Sequence, residues 1–286
     1  MNVDMNRTVS IIVPCFNDGQ YLREAVQSAE KCQKKDACEI IIVNDGSSDG
    51  MTLEILRDME REGHQVIHQA NRGLSAARNI GIKAAGGAYI LPLDSDNKIR
   101  PDYISEGIRV LEGNPRVGVV YGDCQFFGEK TGINRVPQFS LARLIQGNFI
   151  DACAIYRRLV WEEVGGYDQN MLLGWEDWEF WLRIALKNWG FCHIDAILFD
   201  YRVRENSMIS KTIQHISQLC DYIFSKEELK DANAIRQRQL EVARLFNLER
   251  SPDYRLGRAV LDPLRTMRRL LKGKPADANT AKLASR

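Results

Sequence analysis

The chain has 286 residues, 44% hydrophobic and 27% charged, enough for a sizeable buried core and ordinary for a soluble globular protein. Thirty-nine basic and 38 acidic residues leave a net charge of +1, so the charge balance gives no argument for nucleic acid or a uniformly acidic partner. No apolar run approaches the roughly 18 residues needed to span a bilayer, MNVDMNRTVS at the start lacks the apolar core of a signal peptide, and the seven cysteines include no C-x-x-C pair, which favours free thiols in a reducing compartment over zinc.

In chain order, VSIIV at Val9–Val13 predicts a strand and Gln20–Lys31 a helix. EIIIV at Glu39–Val43 predicts a second strand, Thr52–Glu62 a helix and Gln65–His68 a short third strand. Ser75–Ala85 is expected to be helical, with Ser75 as N-cap and Gly86-Gly87 as its stop. Tyr89–Leu93 and Val117–Tyr121 are the fourth and fifth predicted strands. Phe126–Ser140 has weak periodicity and is expected as loop, and Phe149–Tyr156 as a strand. Trp175–Trp189 is expected as a helix and Ile194–Tyr201 as a late strand. Beyond about Ser210 the pattern is helical, with Asp262-Pro263 offering the start of a last short helix. Strands rich in Ile and Val, separated by helices, indicate an α/β fold with a mostly parallel sheet covered on both faces.

Ligands of such sheets bind beyond the carboxyl ends of the strands. The first strand ends in Pro14-Cys15-Phe16-Asn17-Asp18, the second in Asn44-Asp45-Gly46-Ser47-Ser48-Asp49-Gly50, and the fourth in Asp94-Ser95-Asp96-Asn97. Turns call for Gly or Asn, but they do not call for an acid three times over. If the fourth strand runs on through LPLDSDNK, Asp94 and Asp96 share a face, and their mutual repulsion calls for a positive partner. The glycine pattern GxGxxG and the P-loop lysine are both missing, so a diphosphate beside these acids would need a bridging Mg²⁺ or Mn²⁺. Arg72 and Arg78 can each neutralise phosphate. A surface ion pair accounts for Arg78 equally well.

VSIIVPCFNDGQYL, EIIIVNDGSSDG, NRGLSAARNIGIKAAGGAYILPLDSDN and GWEDWEFWLR, in that order, resemble family 2 glycosyltransferases of the GT-A fold over about Val9–Ser207. The resemblance implies a metal-dependent, inverting transfer of a sugar of the hexosyl type from a nucleotide diphosphate donor, a UDP-sugar being favoured. The expected acceptor is a glycan or lipid-linked hydroxyl, in cell-surface polysaccharide or glycolipid assembly. It places Pro14, Phe16 and Asp18 in the nucleotide pocket and Asp45 on the base or ribose. It matches Asp94-Ser95-Asp96 to the family's D-x-D element, whose last Asp carries the metal with Asp94 beside it. It makes Asp177 the general base and gives Glu176 the task of positioning the acceptor, with Trp175 and Trp178 as aromatic faces for it. Acids at a helix start also suit the helix dipole, but the flanking tryptophans add desolvation, which raises a carboxylate toward a useful basicity.

The chain departs from the family's Y-R-x-H by reading Tyr201-Arg202-Val203-Arg204. Arg204 cannot ligate a cation but can pair with phosphate. The expected organisation is a tail over 1–8, the catalytic domain over 9–209, a helical region over 210–272 and a small polar tail over 273–286. An apolar stripe with crowded arginines at 253–274 suggests either a solvated face or peripheral contact with anionic membrane. A cytoplasmic protein, peripheral at the inner face of the cell membrane if that contact forms, is the expected location. Two competing readings are a nucleotidyltransferase, which should show an early glycine- and lysine-rich phosphate loop, and a sugar-nucleotide binding module without turnover.

Overall fold

The computed structural model describes residues 9–32, 38–205 and 215–250. The tails over 1–8 and 273–286, the Asp262-Pro263 helix start and the basic stretch 253–274 lie outside the described residues. The chain divides into two compact units, Met1–Ala234 and Ile235–Arg286.

The first half follows the alternation of apolar runs and amphipathic patterns. It forms β1 (Val9–Cys15), α1 (Gly19–Lys31), β2 (Cys38–Asp45), α2 (Gly50–Arg61), β3 (Gln65–Gln69), α3 (Leu74–Ala84) and β4 (Tyr89–Pro92). β1 lies parallel to β2 and β4, and β2 parallel to β3. Side chains two apart share a face, so Ile12 joins Ile41, Val43 and Ala77 in one core. Ile11 and Val13 join Leu22, Ile42 and Leu56 in the other. Each face is thus sealed by helices, as a parallel sheet requires. Gly81 lets α3 settle directly on β1, because a Cβ there would lie 2.6 Å from Ile12 Cγ2.

The second half adds β5 (Lys98–Ile99), α4 (Tyr103–Gly113), β6 (Val117–Gly128), β7 (Gly132–Asn134), α5 (Leu141–Gln146), β8 (Ile155–Arg157), α6 (Arg158–Glu163), α7 (Glu176–Leu186) and β9 (Gly190–Val203). These are followed by α8 (Ile216–Ser225), a 3₁₀ turn at Glu227–Leu229 and α9 (Lys230–Arg250). Among the described residues the strands form one nine-stranded sheet ordered β3-β2-β1-β4-β8-β6-β9-β5, with β7 on β6. β8 is antiparallel to both its neighbours, whereas β6 and β9 run parallel.

Several boundaries differ from expectation for identifiable reasons. Ser75 is not the N-cap of α3; Gly73, at φ +86°, holds that position, and Ser75 is buried inside the first turn. Gly86-Gly87 does not form a left-handed stop, since Ala85 is already extended. The predicted loop Phe126–Ser140 begins as strand and contains β7, the first half-buried and the second exposed, and both therefore weakly patterned. The predicted strand Phe149–Tyr156 is strand only from Ile155, because side chains satisfy the earlier backbone: Trp181 Nε1 donates to Ile150 O at 3.0 Å and Tyr103 Oη to Cys153 O at 2.5 Å. α7 is shorter than Trp175–Trp189 because Trp175 (φ +60°) and Asn188 (φ +62°) are left-handed. The expected boundary at 209 falls inside the first compact unit, since Leu219, Ile223 and Phe224 are buried in the same core as Trp178 and Trp181. All seven cysteines are free thiols.

Candidate active site

The carboxyl ends of β1, β2 and β4 open into one cavity of about 440 Å³, closed by the loop before α7 and the end of β9. Pro14, Phe16, Asp18 and Asp45 line it, as do Arg78, Asp94, Ser95 and Asp96. From the second half come Trp175, Glu176, Asp177 and Arg204. Of the residues singled out in the sequence, Trp178 and Arg72 stand apart from the cavity lining, Trp178 most clearly. Trp178 is 2% exposed, donates to Leu144 O at 2.6 Å and packs edge-on against Phe224. It is a core residue and cannot face an acceptor. Trp175 stays at the cavity and stacks at right angles on Trp178, 5.1 Å away.

Asp45 is buried and fully employed. Its Oδ1 accepts from Gln69 Nε2 (2.6 Å) and Arg72 N (2.9 Å), and its Oδ2 from Gly73 N (2.9 Å). It therefore builds the turn that launches α3 before it can contact any nucleotide. Asp45→Ala would strand two backbone amides, so thermal unfolding should show a loss on the order of 2–4 kcal/mol. UDP binding should weaken alike with and without Mn²⁺; unchanged stability would refute this anchoring role.

Asp94 and Asp96 do not share one partner. β4 ends at Pro92, and Asp94–Asn97 is a turn closed by Asn97 N donating to Asp94 O at 3.0 Å, so strand alternation stops short of both acids. Arg78 Nη2 holds Asp94 Oδ1 at 2.8 Å, while Nη1 of the same guanidinium holds Glu176 Oε1. Arg78 is 1% exposed, which rules out the surface-pair reading. Burial opposes its charge, but the Asp94 and Glu176 carboxylates outweigh burial and keep it firmly protonated. Arg204 grips Asp18 with both terminal nitrogens, at 2.7 and 2.9 Å, and its Nη2 also reaches Asp96 Oδ2 at 2.7 Å. Burial, reinforced by Asp94, pushes Asp96 up to about 6. Arg72 turns away: its Nη2 donates to Gln169 Oε1 at 2.9 Å. His193 is engaged by Asp123 and Gln138, outside the cavity lining.

Asp177 sits in the first turn of α7. Its Oδ1 accepts from Trp178 N at 2.7 Å and its Oδ2 from Asn148 Nδ2 at 2.9 Å. Burial, then the charges of Glu176 and Asp151, raise it well above the ordinary carboxylate range, against a smaller opposing pull from Arg78. Asp151 is a cavity residue that sequence reasoning missed. Burial and Asp94 push it up to about 7. The available signal was an acid inside the apolar run FIDACAIY. Asn148, Met171 and Leu172 were missed as well, having no pattern of their own.

Residues 10–170 match the sequence profile described as glycosyl transferase family 2. The chain belongs to this family. Glycosyltransferase GlyA of Streptococcus pneumoniae is 39% identical over 128 residues, which are 44% of this chain and 18% of GlyA. The chain spans less than half the length of the first curated relatives it matches. Among solved structures, Staphylococcus aureus TarS 1–349 in complex with UDP-GlcNAc aligns with TM-score 0.62 at 20% identity, covering 82% of this chain and 71% of TarS 1–349. The mannosyltransferase PcManGT of Pyrobaculum calidifontis, in complex with GDP-Man and Mn²⁺, aligns with TM-score 0.59 at 16% identity, covering 95% and 89%. The fold is GT-A.

The divalent cation that membership of family 2 implies can be weighed against the residues present. Seven carboxylates and three guanidiniums line the cavity, so an incoming diphosphate would need added positive charge. Among the described residues no group of three or more His, Cys, Asp or Glu side chains is placed to hold a metal ion. A hard cation needs only one or two carboxylates when phosphate and water complete its shell. Asp94 and Asp96 supply that minimum, with Asp96 Oδ1 outside the Arg204 pair, and the site fits Mg²⁺ or Mn²⁺ on those terms.

Proposed function

We propose that the chain is an inverting glycosyltransferase that moves a hexosyl group from a UDP-sugar to a hydroxyl of a glycan or lipid-linked acceptor. The observation that carries this reading is the Arg78 guanidinium bonded to both Asp94 and Glu176. It ties the D-x-D turn to the start of α7, so a donor diphosphate and a base belong to one cavity. TarS holding UDP-GlcNAc and PcManGT holding GDP-Man with Mn²⁺ support a nucleotide-sugar donor.

Asp177 Oδ takes the proton of the acceptor hydroxyl as that oxygen bonds to the anomeric carbon. The bond from that carbon to the diphosphate oxygen breaks, and UDP leaves with the electron pair. Attack from the face opposite the leaving group inverts the centre. Asn148 fixes one Asp177 oxygen, and Glu176, locked by Arg78, fixes the backbone that aims it. Phe16, 48% exposed at the cavity, offers a ring face to the base. A bound cation, held by Asp96 and Asp94, would neutralise the departing diphosphate. Peripheral membrane contact through 253–274 belongs to this reading as well; among the described residues no helix is long and apolar enough to cross a membrane.

The direct test is a panel of UDP-hexoses and UDP-N-acetylhexosamines with Mn²⁺, following UDP release with and without oligosaccharide or polyprenol-linked acceptors. One donor should release UDP faster when an acceptor is added. Binding of a donor without any release would favour the non-catalytic module.

A further inference from the structure

Trp175 enters the cavity from a strained backbone. It follows Gly174 at φ +95°, and itself sits at φ +60°, a left-handed conformation that costs a large L-residue on the order of 1–2 kcal/mol. Such strain persists only where the surroundings over-determine it. The loop leading into it, 168–174, also carries Met171 and Leu172 into the cavity wall.

What holds that loop comes from beyond the stretch matched to the family. Lys226, just after α8, reaches Asp168 Oδ2 at 2.5 Å and Glu179 Oε1 at 2.6 Å. Tyr222 Oη of α8 donates to the same Asp168 oxygen at 2.7 Å. Asp168 Oδ1 meanwhile accepts from Asn170 N at 2.9 Å, shaping the turn. Glu179 is fully buried and takes two bonds of 2.7 Å from Arg183. Arg183 in turn donates to Val164 O and, at 2.7 Å, to Gly166 O. Two acids and two bases thus lock the loop onto α7 through Glu179, in the same first turn as Asp177. Each charge has an opposite partner, so removing one leaves buried charge uncompensated.

We propose that α8 braces the catalytic wall and that Lys226 is its positioning residue, holding loop 168–174, Trp175 and the start of α7 in the geometry that aims Asp177. This rests on the reading of Asp177 as the base, but the mechanical part does not need turnover. Glu179 and Asp168 are then structural anchors of the brace and take no part in proton transfer.

The test uses the full chain as wild type, Lys226→Met, Lys226→Arg and Tyr222→Phe. Acrylamide quenching of tryptophan fluorescence, with the signal of Trp175 isolated by difference against Trp175→Phe versions, reads the brace alone. UDP affinity in Mn²⁺ and UDP release from a UDP-sugar read its consequence. Lys226→Met should make Trp175 more quenchable and slow release roughly 10–100-fold, as small misplacements of a reacting group do, while UDP affinity stays within about twofold. Lys226→Arg should restore most of the rate. Tyr222→Phe removes only a hydroxyl and should show the same pattern at roughly threefold, which keeps the test decisive if Lys226→Met does not fold. Folded variants that match wild type in quenching and release overturn the brace. A wild type that binds no nucleotide and releases none overturns the glycosyltransferase reading, while the quenching comparison still decides the brace.

Discussion

Asp177→Asn should leave UDP-sugar affinity near wild type and lower turnover by roughly two to four orders of magnitude. Asparagine keeps the shape, and its one amide oxygen can still accept from Trp178 N while its NH₂ takes the place of the oxygen that faces Asn148, but it cannot take a proton. The wild-type pH profile should show the matching signature. A base works deprotonated, and burial with Glu176 and Asp151 raises this carboxyl, so the rate should fall as pH drops through that raised value, above the ordinary carboxylate range. Stopped assays at saturating donor across pH 5 to 9 would record it. Should Asp177→Asn keep most of its turnover, Asp151 becomes the candidate base. Glu176 is committed to Arg78, and Glu179 to Arg183 and Lys226.

Arg78→Met should be the most damaging single change to stability. The methionine fills much of the volume but leaves Asp94 and the buried Glu176 without their cation. Breaking a buried pair in this way costs about 3–5 kcal/mol, which would lower Tm on the order of 10 °C. Turnover should fall as well, because Asp177 loses the nearby positive charge that favours its anionic form. Arg78→Lys should recover only part of the loss, since a single ammonium cannot present the fork that spans both acids. Calorimetric unfolding of the three proteins checks this; a Tm for Arg78→Met within 2 °C of wild type would mean the bridge carries no stability.

The first half of the fold was legible because VSIIV and EIIIV are uninterrupted buried runs, and because acid-rich turns follow β1, β2 and β4 on one edge. What those acids bind to was not legible. Strand alternation suggested that Asp94 and Asp96 aim at one spot, whereas the chain leaves the strand at Pro92 and hands each acid to a different arginine. Nothing local in the sequence pairs Arg78 with Glu176, 98 positions away, or Arg204 with Asp18, 186 positions away. The run around Asp151 read as a strand because its apolar residues are truly buried. Its backbone is satisfied by Trp181 and Tyr103 side chains instead of a ladder, and composition does not reveal that. Trp178 looked like a sugar platform beside Trp175, yet Trp175 sits ahead of α7 in a left-handed conformation, so helical spacing does not put the two rings on one face, and Trp178 is buried in the core. The contribution of α8 was hidden for a similar reason, since Lys226 reads as one more charge in a polar segment until Asp168 and Glu179 are brought against it.

The claim that the Asp94–Asp96 turn serves a nucleotide diphosphate through a divalent cation is tested most directly by titrating UDP calorimetrically into wild type and Asp96→Ala, each with EDTA and with Mn²⁺. Wild type should bind UDP at least about tenfold more tightly with Mn²⁺, a difference of about 1.4 kcal/mol. In Asp96→Ala that gain should vanish, while the residual cation-free affinity stays measurable. Equal enhancement by Mn²⁺ in both proteins would contradict the assignment of Asp96 as the cation's ligand.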